Sequence, residues 1–216
     1  VLSGGSANTT FINSGGLQNI SSGGEATSTT VNSAGVLAVS GGGSATDITQ
    51  SAGGILITNT SATLTGIADG STNFYISNNV ASNVVLNNSA ILTVLSGGSA
   101  NTTFINSGGL QSVSGIDTTA TVSTGGVQNI FLGGIASGAT LSGGTQNLSR
   151  GSATLTLISS GGIQNISSGG IDTAATVSTG GVQNIFLGGI ASGATLSGGT
   201  QNLSAGSATL TPVSYT

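Results

Sequence analysis

The chain repeats one pattern of apolar and polar positions about every nineteen residues. Residues 4–22 read GGSANTTFINSGGLQNISS, and residues 23–41 read GGEATSTTVNSAGVLAVSG in the same frame. Each unit holds two short β-favouring runs separated by Gly-Gly or by a Ser/Asn-Gly turn, which reads as strand–turn–strand. Alternation with a period of two sorts each run into an inner and an outer face. One inner column runs Ile12, Val31, Leu86, Ile105, Val122, Leu141, Ile158, Val177 and Leu196. The other runs Ile20, Val39, Val94, Val113, Ile130, Leu148, Ile166, Ile185 and Leu203. Stacked units of this kind predict an all-β, right-handed parallel β-helix of about eleven 18–19-residue rungs. At about 4.8 Å per rung the rod would be on the order of 50 Å long. Gly pairs and β-branched residues interrupt every helical window.

Two residues before the second column lies a third, which reads Gln18, Leu37, Leu56, Leu92, Gln111, Gln128, Gln146, Gln164, Gln183 and Gln201. Equal parity places it inside, where stacked amides can satisfy one another along the axis. The alternative is a ligand-binding row of glutamines. The outer face of the second run carries Asn19, Asn129, Asn147, Asn165, Asn184 and Asn202, with Ala38 and Ser112 as exceptions. The outer column of the first run carries Thr30, Thr49, Thr121, Thr140, Thr176 and Thr195, punctuated by Phe11, Val85, Phe104 and Leu157. Rows of uncharged donors and acceptors suit pairing with a similar row on another molecule. The alternative is a solvated strand face.

One unit breaks the pattern. Residues 61–77, SATLTGIADGSTNFYIS, lose the Gly-Gly spacing and place Asp69-Gly70 between two β-like runs, which predicts a hairpin turn. A hairpin excursion or kink is expected around residues 50–80, packed down by Phe74 and Tyr75, with Gln50 in an inner position. Residues 1–216 otherwise read as a single β-helix region. The sequence opens inside a repeat, at Val1-Leu2-Ser3-Gly4-Gly5, as a fragment of a longer processed protein would.

Copies of the unit are nearly identical over long distances. Val1–Gln18 equals Val94–Gln111, and Gly115–Thr156 matches Gly170–Thr211 except at Thr119/Ala174 and Arg150/Ala205. Such fidelity argues against a unique active site in any copy. With no His and no Cys, the usual bases and thiol nucleophiles are missing. Asp117 and Asp172 are one position in two copies three rungs apart, about 14 Å at strand spacing, too far for a glycosidase pair. No clustered carboxylates suggest a metal, and no cofactor is expected. The net charge is −4, with no Lys and one Arg, so nucleic acid and anionic membrane surfaces are not expected partners. No stretch approaches the roughly twenty apolar residues of a membrane span.

The unit GGxAxxTxVxxGGxQxVxx, seen in residues 4–22, 97–114 and 169–187, resembles the passenger repeats of self-associating autotransporters. That group includes antigen 43, the adhesin involved in diffuse adherence and the TibA adhesin/invasin. The resemblance covers essentially the whole chain. It implies a passenger on the surface of a Gram-negative bacterium, exported through and attached by an outer-membrane barrel outside this chain, or released. It further implies self-association between cells, biofilm formation, adhesion to host cell surfaces and O-heptosylation of Ser by a dedicated heptosyltransferase. The candidate acceptors are turn serines: Ser14, Ser21, Ser22, Ser33, Ser107, Ser167 and Ser168. The candidate self-contact is the outer Asn and Thr columns. The competing readings are an ice-binding β-solenoid, against which the broken Thr column counts, and a purely structural spacer.

Overall fold

The computed structural model describes residues 1–209 and the strand Val213–Ser214. Among the described residues there are strands and turns and no helix, and the strands stack as parallel coils. From Val80 onward each coil contributes to three sheets rather than the two runs legible in the sequence, while the first three coils keep the first run as one seven-residue strand. A leading sheet of thirteen strands begins the coils, a middle sheet of eight, starting at Val85–Leu86, follows it, and a trailing sheet of ten closes them. Removing the two extra strands of an inserted hairpin from the leading sheet leaves eleven coils, as the period requires.

The third sheet arises because the first run bends at one residue in the left-handed region. That residue is Asn83, Thr102, Thr119, Gly138, Leu155, Ala174 or Gly193 in the coils where the run splits into two strands. In the first three coils Thr9, Ser28 and Asp47 take the same conformation inside seven-residue strands. Side chains with a Cβ pay a steric penalty there, so the bend is imposed by the packing of the coil rather than by local preference.

The two inner columns are buried from Ile12 to Val177 and from Ile20 to Ile185. Leu196 is only partly buried and Leu203 is 53% exposed, because few described coils stack beyond them. The leading sheet adds a small-residue column, with Ala26, Ala45, Ala100, Ala136, Ala153 and Ala191 buried. At the corner between the middle and trailing sheets the chain turns so tightly that a methyl group on Gly126 would overlap the backbone oxygen of Ile105 in the coil before it. Gly126→Ala is therefore expected to cost about 2–3 kcal/mol, the scale of core overpacking, read as a fall in the denaturation midpoint. An unchanged midpoint would show that the corner can relax.

The hairpin predicted at Asp69-Gly70 is present: Thr63–Ala68 pairs antiparallel with Thr72–Ser77. It does not leave the rod as an excursion. It is threaded into the leading sheet, since Thr63–Ala68 pairs in parallel with Ser44–Gln50 below and Thr72–Ser77 pairs antiparallel with Val80–Ser82 above. Phe74 is buried as expected, but Tyr75 is 45% exposed, because alternation turns it outward. Val85, expected on the outer column, is 5% exposed. The hairpin is tied alongside it by Asn83 Nδ2 donating to the Asn73 carbonyl and Asn87 Nδ2 to Asp69 Oδ2. Gln50 is buried, its Nε2 donating to the carbonyls of Gly54 and Val85, while its Oε1 has no partner.

Past the hairpin, the trailing sheet resumes with its register shifted by two residues. Ala38 pairs with Ile57, yet Ile57 pairs with Ile91, and Thr58 with Leu92. A two-residue slip keeps every side chain on its face, so the core survives the interruption.

Candidate functional surface

Inside the rod the glutamines form the ladder that parity predicts. Gln128 Nε2 donates to Gln111 Oε1 at 2.7 Å, Gln146 to Gln128 at 2.6 Å, Gln164 to Gln146 at 2.8 Å, and Gln183 to Gln164 at 2.7 Å. Gln201 continues it onto Gln183 at 2.7 Å. Every amide donates towards the preceding coil, so the amide dipoles align and their positive end falls at Gln111. The row is internal and fully engaged, which leaves the ligand-binding alternative for these glutamines no surface to act on.

Two aspartates complete the ladder. Asp117 and Asp172 replace alanine in the leading sheet's inner column, pairing in register with Ala100 and Ala136 and with Ala153 and Ala191 respectively. Both are fully buried. Asp117 accepts from Gln111 Nε2 at 2.8 Å and Gln128 Nε2 at 2.9 Å, clamping two coils at the positive end of the amide row. Asp172 accepts from Gln164 at 2.9 Å and Gln183 at 3.1 Å. Burial pushes both carboxyl groups up to about 6, and the glutamine hydrogen bonds only partly offset it. The sequence reading placed neither inside. Their sign was available, since each follows the Gly-Ile opening of a unit at the place where other units carry Ala. Held apart and buried, the two carboxylates serve the ladder.

On the outside, the structure sorts the candidate contact residues onto two different sheets. Asn129, Asn147, Asn165, Asn184 and Asn202 lie in register on the trailing sheet. They form a second ladder, in which the Nδ2 of Asn147, Asn165, Asn184 and Asn202 each donates to the Asn Oδ1 of the coil before at 2.9–3.0 Å. Each amide thus keeps one N–H and part of its carbonyl for something else. Asn19 is exposed but outside this ladder, because the two-residue shift aligns its column, through Ala38 and Ile57, with Ile91. Thr121, Thr140, Thr176 and Thr195 lie in register on the middle sheet, interrupted by Leu157. A glycine corner separates them from the asparagines, so the two columns do not form one flat face.

Beside the asparagine ladder runs a column that the sequence reading passed over: Ile91, Leu110, Val127, Ile163 and Val182, interrupted by Thr145. These aliphatics point outward and are half-buried or, at Ile163, exposed. The trailing face therefore sets an aliphatic residue beside the amide ladder at the Val127, Ile163 and Val182 coils, with Thr145 and Thr200 in that column at the other two. The signal was the apolar residue two places before Asn19, Asn129, Asn165 and Asn184.

The candidate serines all lie at glycine corners. Ser14, Ser33 and Ser107 stand at the middle-to-trailing corner, and Ser21, Ser22, Ser167 and Ser168 at the trailing-to-leading corner. Ser14, Ser22, Ser33, Ser107 and Ser168 are exposed, whereas Ser21 and Ser167 are half-buried.

Comparison with known proteins agrees with this architecture. Residues 66–126 match the family described as adhesin of bacterial autotransporter system, probable stalk. The crystal structure of a hyper-glycosylated TibA fragment, its glycosylation catalysed by TibC, aligns with a TM-score of 0.58 and 34% identity, over 99% of this chain and 87% of that one. No curated protein sequence matches significantly.

Proposed function

The chain belongs to the passenger stalks of bacterial autotransporter adhesins, and from that premise we propose that it holds cells together by pairing with copies of itself through the outer face of the trailing sheet, and also touches host surfaces. The observation that carries the reading is that face: an amide ladder over five coils with an aliphatic residue beside it at three of them, on a rod with almost no charge. Each contact is weak, and affinity comes from their number along the axis, a multivalent effect. The thinness of charge matters because two like rods can approach without strong repulsion. The rod is a structural, non-enzymatic part of an extracellular surface protein of a Gram-negative bacterium, anchored through an outer-membrane barrel beyond this region.

The test is whether bacteria displaying the chain clump and settle, with and without the purified chain as competitor. Clumping that the competitor inhibits supports homotypic contact. Clumping indifferent to it, or none, transfers the weight to the second reading, a stalk that holds another domain away from the cell. The match to a family described as probable stalk favours that reading specifically.

The hyper-glycosylation of the TibA fragment supports a further element, modification of corner serines by a heptosyltransferase. A transferase needs a hydroxyl it can reach, so Ser14, Ser22, Ser33, Ser107 and Ser168 are the expected acceptors, and Ser21 and Ser167 are not. Co-expression with a heptosyltransferase followed by peptide mass mapping should place heptose on the first group. Sugar confined to Ser21 and Ser167 would refute an accessibility rule.

A further inference from the structure

We propose that the concavity beside the inserted hairpin binds a single neutral hexose of a surface glycan. The inference rests on the host-surface part of the proposed function and supplies its site and ligand class.

The concavity is built where the inserted hairpin breaks the repeat in the leading sheet. Where Ser44–Gln50 meets Thr63–Ala68, the register slips between Ala45 and Ile48, so that Thr46 and Asp47 together face Thr65. Beside the slip stands Gly66, where any side chain would overlap the backbone oxygen of Ile48. The result is a hollow of about 450 Å³, in the range of small-ligand sites.

Its lining is chemically mixed. The Asp47 carboxylate, the Thr49 and Thr65 hydroxyls and the Asn73 amide surround it, and Ile67, 41% exposed, supplies an apolar wall. None of those four polar side chains takes part in a hydrogen bond among the described residues, whereas the outer asparagines of the regular coils are paired in their ladder. Free donors and acceptors therefore converge where the inserted hairpin breaks the repeat in the leading sheet. A ring with neighbouring hydroxyls on its edge and C–H groups on its face meets both kinds of surface. An ionised carboxylate accepts strongly from a sugar hydroxyl. With no cation in the lining, an anionic ligand is repelled, and one carboxylate is too few for a calcium ion.

The probes are methyl glycosides of mannose, galactose and N-acetylglucosamine, titrated into the isotopically labelled 216-residue chain and followed by amide chemical shifts. At least one is expected to shift amides of residues 47–49, 65–67 and 73–74, with a Kd on the order of 1 mM. Asp47→Asn should weaken that binding at least tenfold. Asn tolerates the left-handed φ of 54° that Asp47 adopts, so the bend survives the change. Thr65→Val, on the opposite strand, gives a second reading with the same expected loss. Shifts absent for all three glycosides, or unaltered by both substitutions, would overturn the proposal. A failed pocket leaves displaying bacteria still able to bind host cells, whereas a failed host-surface reading leaves them unable to bind whatever residue 47 is. Asp47→Asn should also leave clumping intact, and loss of clumping would assign the hollow to the self-contact instead.

Discussion

Acidification from about pH 7.5 to about pH 4 should make this rod harder to denature, the reverse of ordinary acid destabilisation. Asp117 and Asp172 have folded-state values of about 6 against 3.8 for an unburied aspartate. Between those values the folded chain binds more protons than the unfolded one, so stability falls as pH rises through the window and levels off above it. Each site corresponds to about 3 kcal/mol, released in full only below the unfolded value. The other acidic side chains, Glu25, Asp47 and Asp69, are exposed. The double variant Asp117→Ala/Asp172→Ala should be more stable than the parent at neutral pH and nearly flat across the same window. Alanine already occupies that column in the adjoining coils. Gln111, Gln128 and Gln183 would each keep one acceptor, a threonine hydroxyl or the preceding glutamine, but the N–H that each loses to the aspartate is left unpaired, so the gain at neutral pH is smaller than the two carboxylates' sum. Guanidinium midpoints measured by circular dichroism at several pH values decide the matter. A parent whose midpoint drops on acidification, or a variant whose profile parallels it, would show that these carboxylates do not govern the pH response.

That a surface rod keeps two buried carboxylates at a cost in neutral stability suggests a role in specifying register. An all-amide ladder between near-identical coils can slip by a whole coil without changing its partners. Asp117 marks the end of the uninterrupted ladder at Gln111, beyond which the column turns to Leu92. A carboxylate bonded to two particular glutamines penalises any slipped pairing that would bury it against alanine and leucine alone.

What the sequence allowed one to foresee, and what it hid, follows from period and parity. The coil, the inner columns and the glutamine ladder were legible because Leu substitutes for Gln at Leu37, Leu56 and Leu92, which fixes that column inside. The third sheet was hidden, because its left-handed bend falls on Thr102, Thr119 and Leu155 as readily as on Gly138 and Gly193, and only glycine advertises such a conformation. The separation of Asn19 from the later asparagines was hidden too. The slip at Ile57 and Ile91 is an even number of residues, so it changes the column without changing the face. Asp69-Gly70 revealed a turn, but a turn alone does not say whether a hairpin leaves a sheet or joins it.

The same geometry sharpens the test of the face proposed for self-contact. Replacing Asn129, Asn147, Asn165 and Asn184 together with Asp should abolish clumping, and now for two separable reasons. Four carboxylates at a rung spacing of about 4.8 Å repel one another by about 1 kcal/mol per neighbouring pair in water, and they also repel the same row on a second rod. The substitution equally removes the Nδ2 donors that build the ladder, so the denaturation midpoint should fall as well. The companion change of the same four residues to Ser separates the causes, since Ser112 already occupies this column in the coil before Asn129. Serine keeps the face neutral and removes the amides. If the amide row makes the contact, the Ser variant loses the ladder's share of its midpoint but not the share due to repulsion, and it clumps far less. If the Ser variant clumps fully while the Asp variant does not, the aliphatic column of Val127, Ile163 and Val182 carries the adhesion and the asparagines only space the rungs. Full clumping by the Asp variant would remove the trailing face from consideration altogether, because no close pairing of two rods across it tolerates eight facing carboxylates.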